Sequence, residues 1–427
     1  MSKACVVYSH SPSSWVSCQK IVSNLLKAYE ALGSELELVP VNYMDGMDEF
    51  EFTAACQLLT ESLPDYVIFL DHRPHPLGLL EYVVRQYKER GHAPRFLFHL
   101  YGDFSLTFSQ WKKLEVVLAG QTVLWYAASE RQLNMLTEYI PAEQLRVCPF
   151  PVDPADFYPA PQLREAFRRE KGWAADETVF IFTGRLSRQK RIHQLMDVFA
   201  GWRQRTGRRA RLVLVGDVDK IGDPFLLINE MEGEYFQRLW RKWQAFAPDV
   251  RDSIEFHGFR PNKELLAYYS AADVFVNISV HNDEDYGMSC AEALACGLPL
   301  ILTDWAGFSS FRVAGIEEHV HMVPVRLSRR GKLVHLRALE AHLETCATAP
   351  TPARAPIATK ALAYLGLKNA TRIVRDGLRD GHTFQAFLPT LHEAANLEVY
   401  QRWCTFADRK NRTFNDLYMK VYRHYVG

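Results

Sequence analysis

Five prolines, Pro149, Pro151, Pro154, Pro159 and Pro161, crowd one short stretch, and no regular element tolerates that density of fixed φ angles and missing N–H donors. The stretch reads as a connection between domains. Before it, Ala4–Tyr8, Leu36–Val41, Tyr66–Leu70, Arg95–Leu100 and Val123–Ala127 read as strands, and Val16–Leu32 and Leu79–Arg90 as helices. After it the alternation restarts. Strands are expected at Val179–Thr183, Ala210–Val215, Ile254–Gly258, Val274–Ile278 and Leu300–Thr303, and helices at Ile192–Gly201, Gly233–Phe246 and Asn262–Ala271. Strands separated by helices pair in parallel and are covered on both faces, so the chain is expected to hold two doubly wound α/β units. The expected division is 1–160, 161–400 and a helical tail over 401–427 that could return to the first domain. Beyond about residue 325 the pattern weakens: Arg326–Lys332 is a basic run, and Ala347–Pro356 reads as a loop.

A chain of 427 residues suits two cores, and 48% hydrophobic, 12% aromatic and 23% charged residues describe a soluble globular protein. A formal net charge of zero argues against nucleic acid as a partner. Residues 1–160 carry 12 Lys and Arg against 19 Asp and Glu, which leaves 38 against 31 of the total 50 and 50 for the remainder. The basic half suits an anionic ligand. The acidic half matches an anionic membrane poorly, so peripheral membrane association is not indicated. The eight cysteines are scattered, without zinc spacing, and read as buried thiols of a reducing compartment. The first residues run straight into a strand with no signal-peptide pattern, and no apolar run approaches the roughly 18 residues of a membrane span. The expected location is cytoplasmic.

The densest chemistry lies in Glu284-Asp285-Tyr286-Gly287-Met288-Ser289-Cys290-Ala291-Glu292. Tyr286-Gly287 reads as a turn that opens a helix, and Gly297 with Pro299 just beyond reads as its stop. A helix opening on glycine offers backbone N–H groups and a positive dipole end to an anion. Glu284 precedes the helix and Glu292 lies within it, so the two carboxylates can touch different parts of one elongated ligand. A second cluster is Phe182-Thr183-Gly184-Arg185-Leu186-Ser187-Arg188-Gln189-Lys190, in which a strand ends on Gly184 and delivers two cations. Fixed cations at Arg185 and Lys190 can grip two phosphates.

Together these stretches resemble the E-x7-E and G-R-L-x-x-x-K motifs of retaining glycosyltransferases with the GT-B fold, family 4 in particular. The resemblance covers about residues 95–312. It implies two Rossmann-like domains facing a central cleft, the first for the acceptor and the second for a nucleotide sugar. It further implies that Arg185, Lys190 and the Gly287, Met288 and Ser289 backbone stabilise a leaving nucleoside diphosphate. Glu284 would hold the donor sugar and Glu292 the ribose. Gly184, Gly216 and Gly258 would end strands near the nucleotide. His99, in Phe98-His99-Leu100-Tyr101-Gly102, resembles the family's N-domain histidine facing the cleft, near the donor sugar. Trp15, His72, His75 and Gly102 are expected on the acceptor side.

Departures accompany the likeness. The loop Ser9–Trp15 lacks the family's glycine pair, Asp285 adds a carboxylate to the motif, and the family's later Gly-Gly is Ala306-Gly307. Asp217-Val218-Asp219 and Asp283-Glu284-Asp285 imitate a D-x-D metal motif. In a GT-B protein, however, Arg, Lys and a helix start meet the phosphate charge, so no metal or other cofactor is expected. The expected partners are a nucleotide-sugar donor and a glycan, lipid-linked or small-molecule acceptor. A phosphorylase or sugar synthase on the same fold is the alternative within enzymes. An inactive sugar-nucleotide or glycan-binding module is the alternative outside them.

Overall fold

The computed structural model describes residues 1–9, 16–102, 104–226, 228–401 and 405–427. Contacts divide the chain into two compact units. One comprises Met1–Pro151, Leu367–Thr405 and Lys420–His424; the other comprises Val152–Gly366, Phe406–Met419 and Tyr425–Gly427. The boundary at Pro151 falls inside the proline-rich stretch. The far boundary differs from the expected one, because the chain re-enters the first unit at Leu367 and not beyond residue 400. The helix Leu367–Arg379 packs on the helix Val16–Glu30 and buries Ala370, Val374 and Leu378. It also comes so close to the sheet that a Cβ on Gly377 would overlap the Tyr126 hydroxyl.

The first unit is built on β1 (Ser2–Tyr8), β2 (Leu36–Asn42), β3 (Tyr66–His72), β4 (Arg95–Leu100), β5 (Thr122–Ala127) and β6 (Leu145–Val147). Neighbours pair in the order β5-β4-β3-β1-β2, all parallel, and β6 adds to β5. The short strand His382–Thr383 closes the β5 side antiparallel. The strands are apolar because helices cover both faces: Val6, Phe96, Phe98 and Trp125 have no exposed surface. Phe98 stacks on Trp125 at 4.2 Å and on Phe69 at 5.2 Å. The helix Glu49–Ser62 is opened by Asp48, whose carboxylate accepts from the Glu51 N–H while Glu51 accepts from the Asp48 N–H.

The second unit holds β7 (Thr178–Thr183), β8 (Ala210–Val215), β9 (Ile254–Gly258), β10 (Val274–Asn277), β11 (Leu300–Thr303) and β12 (Val320–Val323). Their order is β12-β11-β10-β7-β8-β9, and every pairing is parallel. Phe180, Phe199, Trp202, Leu212, Val276 and Ile301 are among the residues of its core. The chain winds outward from β7 to β9, then returns to β10 on the other side of β7. That reversal leaves a crevice at the carboxyl ends of β7 and β10, where ligands bind in sheets of this kind. The basic run Arg326–Lys332 forms most of a hairpin, Val325–Ser328 with Gly331–Val334, and helices Leu336–Thr348 and Arg354–Leu365 follow. Among the described residues no helix is long and apolar enough to cross a membrane.

Candidate functional site

At the strand-order reversal of the second unit, β7 runs into Gly184–Arg191 and β10 into residues 278–287. The first of these loops is locked to its neighbours. The Gly184 N–H donates to Val215 O at 2.9 Å, and the Gly216 N–H to Gly258 O at 2.8 Å. Gly216 has φ 143°, and a Cβ there would lie 2.0 Å from the Gly184 carbonyl oxygen. Only glycine fits, and the reason is backbone packing at the end of the sheet.

Arg185 and Lys190 reach the crevice from this loop, and each meets a carboxylate. Arg185 pairs with Asp219, and Lys190 pairs with Glu284. The Lys190 and Glu284 side chains are only 14% and 8% exposed, so the pair is largely withdrawn from water. Glu284 is fixed further by its carbonyl, which accepts from the Gly307 N–H at 2.9 Å. Of the Ala306-Gly307 pair, Gly307 is the position that admits no side chain, for a Cβ on it would sit 2.0 Å from Asp285 O. Three carboxylates of the two D-x-D-like stretches have partners within the unit. Asp219 faces Arg185, Glu284 faces Lys190, and Asp217 accepts from the Phe259 N–H at 3.1 Å.

The helix opens as its sequence dictates. Gly287, at φ 105° and ψ 74°, caps Met288–Ala295, and a Cβ there would come within 2.6 Å of the Phe308 ring. Met288 and Ser289 are the first helical residues, so their N–H groups have no partner within the helix and face the end where the dipole is positive. Glu292 is buried one turn in. Its carboxylate accepts from the Tyr269 hydroxyl at 3.1 Å, and Tyr269 in turn bonds Thr183 Oγ1 at 2.7 Å. Asp285 is buried as well and accepts from the Tyr425 hydroxyl at 3.3 Å.

A supporting layer behind these residues was not anticipated from the sequence. Asn282 bonds Lys332 Nζ at 2.6 Å and the Tyr418 hydroxyl at 3.1 Å. Lys332 is buried between the Trp305 and Phe414 rings, 3.5 Å from Asp223, and burial lowers its pKa. Tyr425 packs edge-on against Trp305 at 5.5 Å. The basic run and the tail, which carried no recognisable motif, thus hold the segment that bears Glu284. Nothing local in Phe414–Tyr425 announces these contacts, which depend on where the tail folds back.

In the first unit the sequence reading needs correction at two histidines. His99 lies inside the unit: β4 turns it toward the helix Val16–Glu30, where Nε2 meets the Tyr29 hydroxyl at 2.9 Å and the ring stacks on Tyr126 at 4.5 Å. It is 1% exposed, and burial holds its pKa at about 3. A side chain facing a donor was expected there. The parallel sheet, covered on both faces, gives that position to the core. His72 is likewise interior, packed on Phe98 at 4.6 Å and Trp111 at 5.2 Å, with its pKa lowered to about 3 by burial. His75 does lie at the surface, with Nδ1 2.6 Å from Asp45 Oδ2. Beside it Arg73 forks onto Asp71 with two contacts of 2.6 Å. Gly102 follows β4 with φ 60°. These groups gather beyond the carboxyl ends of β2, β3 and β4, next to the β1–β3 reversal of strand order. Asp45 and Arg73 are additions to the expected set. Trp15 lies outside the described residues.

Comparison with known proteins places this architecture. The chain resembles Anabaena HepE in complex with UDP, with a TM-score of 0.62, 15% identity, and coverage of 89% of this chain and 100% of that one. It also resembles sucrose-phosphate synthase from Thermosynechococcus elongatus, with a TM-score of 0.60, 16% identity, and coverage of 89% and 98%. The fold is therefore GT-B, with two Rossmann-like α/β units. Residues 164–316 match the family Glycosyl transferases group 1, and this span contains Arg185, Lys190, Glu284 and Glu292. Among curated relatives, mannosylfructose-phosphate synthase of Agrobacterium fabrum is 24% identical over 253 residues, 58% of this chain and 50% of that protein. Alpha-monoglucosyldiacylglycerol synthase of Acholeplasma laidlawii is 29% identical over 139 residues, 32% of this chain and 30% of that protein. The match thus spans half the length or less of these relatives.

Proposed function

We propose that the chain is a retaining glycosyltransferase of the family 4 type. It moves a sugar from a nucleoside diphosphate sugar to a glycan, lipid-linked or small-molecule acceptor. The observation that carries this reading is the convergence of Arg185, Lys190 and the start of the Met288–Ala295 helix on one crevice of the second unit. Three sources of positive potential at fixed positions suit a leaving diphosphate, whose charge grows in the transition state. The same three meet that charge without a metal, so the reaction is expected to survive chelation. The HepE structures with UDP and UDP-glucose make uridine nucleotides the first donors to try.

In this reading Arg185 exchanges Asp219 for phosphate oxygens, and Lys190 contacts the diphosphate while Glu284 turns to the donor sugar's hydroxyls. Glu292, oriented by Tyr269, holds the ribose. The departing phosphate oxygen takes the acceptor proton on the face it leaves, which retains the anomeric configuration. Asp45, Asp71, Arg73 and His75 are the polar groups offered to the acceptor by the first unit. Cys5, Cys56, Cys148, Cys290, Cys296 and Cys346 are thiols outside any disulfide, which fits a cytoplasmic setting. The test is donor turnover with a panel of sugar acceptors, read by proton NMR for the configuration of the new bond, with and without EDTA. An α product from an α donor supports the reading. An inverted product contradicts the retaining mechanism, and loss of activity with EDTA contradicts its metal independence.

A further inference from the structure

His281 has no part in the mechanism above, yet it lies within electrostatic reach of both Lys190 and Arg185. It follows β10, three residues before Glu284, and is 5% exposed. Its backbone is held firmly: the His281 N–H donates to Ser279 Oγ at 3.2 Å, and Trp305 Nε1 donates to His281 O at 2.7 Å. Its ring is oriented by one contact. The Asp283 backbone N–H lies 2.8 Å from Nδ1, while the Asp283 carboxylate stands 4.0 Å away.

That contact fixes the tautomer. A backbone N–H can only donate, so Nδ1 presents its lone pair and the single ring proton resides on Nε2. Protonating the ring would set a second N–H against that of Asp283. Burial and the nearby charges of Lys190, Arg185 and Lys332 also favour the neutral ring. Among the described residues Nε2–H makes no hydrogen bond. An N–H fixed in a crevice beside two cations that serve an anion lacks only an acceptor.

We infer that His281 is a further donor-contacting residue, giving its Nε2–H to an anionic oxygen of the nucleoside diphosphate beside Arg185 and Lys190. The inference rests on the nucleotide-sugar reading of this site. The choice of a neutral ring is physically sensible. A third cation would repel the other two when the site is empty, whereas a neutral N–H adds a directed bond without that repulsion.

Two substitutions separate the ring nitrogens. In His281→Asn the side-chain oxygen can still accept from the Asp283 N–H, but no donor reaches the ε position. In His281→Gln the amide nitrogen reaches the ε position, but the acceptor at δ is lost. Nucleoside diphosphate binding would be measured by calorimetry for the full chain and both variants, with melting temperatures recorded in parallel. The expected result is a loss of about tenfold to hundredfold in affinity for His281→Asn, the scale of a hydrogen bond to a charged group, and a smaller loss for His281→Gln. His281→Asn binding as tightly as the unsubstituted chain would overturn the inference and leave the donor reading intact. An unsubstituted chain that binds no nucleoside diphosphate would remove the donor reading, and this inference with it.

Discussion

The Lys190 ammonium is paired with the Glu284 carboxylate from 94 positions further along the chain, and both side chains are largely buried. Without a ligand, the lysine expected to meet a diphosphate is thus held and partly neutralised by the acid expected to meet the sugar. Lys190→Ala is predicted to lower kcat by about 10²–10³-fold, the usual loss when one fixed donor to a developing charge is removed. Glu284→Gln keeps the shape and removes the charge, so it should lower turnover while leaving nucleoside diphosphate affinity equal or tighter. Steady-state kinetics and calorimetry on the two variants check both statements. Unchanged turnover in Lys190→Ala would sink its leaving-group role.

Glu292 is expected to act in binding more than in chemistry. Glu292→Ala should raise the donor KM by about tenfold or more, consistent with loss of a hydrogen bond to a charged group, with a smaller change in kcat. Tyr269→Phe removes the hydroxyl that orients Glu292 and should move KM in the same direction by less. A kcat collapse with unchanged KM in Glu292→Ala would assign this carboxylate to the chemical step.

Gly216→Ala tests the packing of the loop ends. The new methyl would strike the Gly184 carbonyl at 2.0 Å in a backbone conformation that side chains rarely adopt. The predicted cost is about 3 kcal/mol or more, from strain and overpacking together. Chemical denaturation reads it, and a loss below 1 kcal/mol would mean that the loops part easily.

His72 and His99 predict a stability that falls with acid. Both are neutral in the folded chain, with pKa values lowered to about 3 by burial, against about 6.5 when unfolded. Between those values the unfolded chain binds the extra proton, so stability rises with pH. Each histidine withdraws up to about 1.4 kcal/mol per pH unit as pH falls from 6.5 toward 3. His99→Gln should show a shallower loss over pH 6 to 4 than the unsubstituted chain, measured by urea denaturation at fixed pH. Equal slopes would show that His99 titrates normally in the folded state.

The sequence announced the strands well, because in parallel sheets they are continuous apolar runs. Arg95–Leu100, Ala210–Val215, Ile254–Gly258 and Leu300–Thr303 have the expected bounds. Local chemistry also located the site helix, since Gly287 and Gly297 both take positive φ where a cap and a stop were read. Two kinds of information were not local. The identity of each cation's partner, Asp219 for Arg185 and Glu284 for Lys190, depends on loops meeting across the sheet. Whether a histidine at a strand end faces a ligand or the core depends on what covers it, and at His99 the cover is Tyr29 and Tyr126. The helix Glu49–Ser62 lies outside the expected set, although its capping box, Asp48 with Glu51, is written in the sequence. The tail was opaque for another reason. Its aromatic residues serve contacts to Asn282 and Asp285 that no periodicity announces.

The central claim is that the second unit binds a nucleoside diphosphate through Arg185 and Lys190. The direct measurement is thermal denaturation of the full chain with UDP, GDP, ADP, CMP and TDP, each beside its sugar conjugate, repeated with Arg185→Ala and Lys190→Ala. At 100 times Kd a ligand adds about 2.7 kcal/mol, a readable shift. The account predicts a clear shift with one nucleoside diphosphate that shrinks in both variants. A well-folded chain that shifts with none of them, or a shift that both variants retain in full, would contradict it.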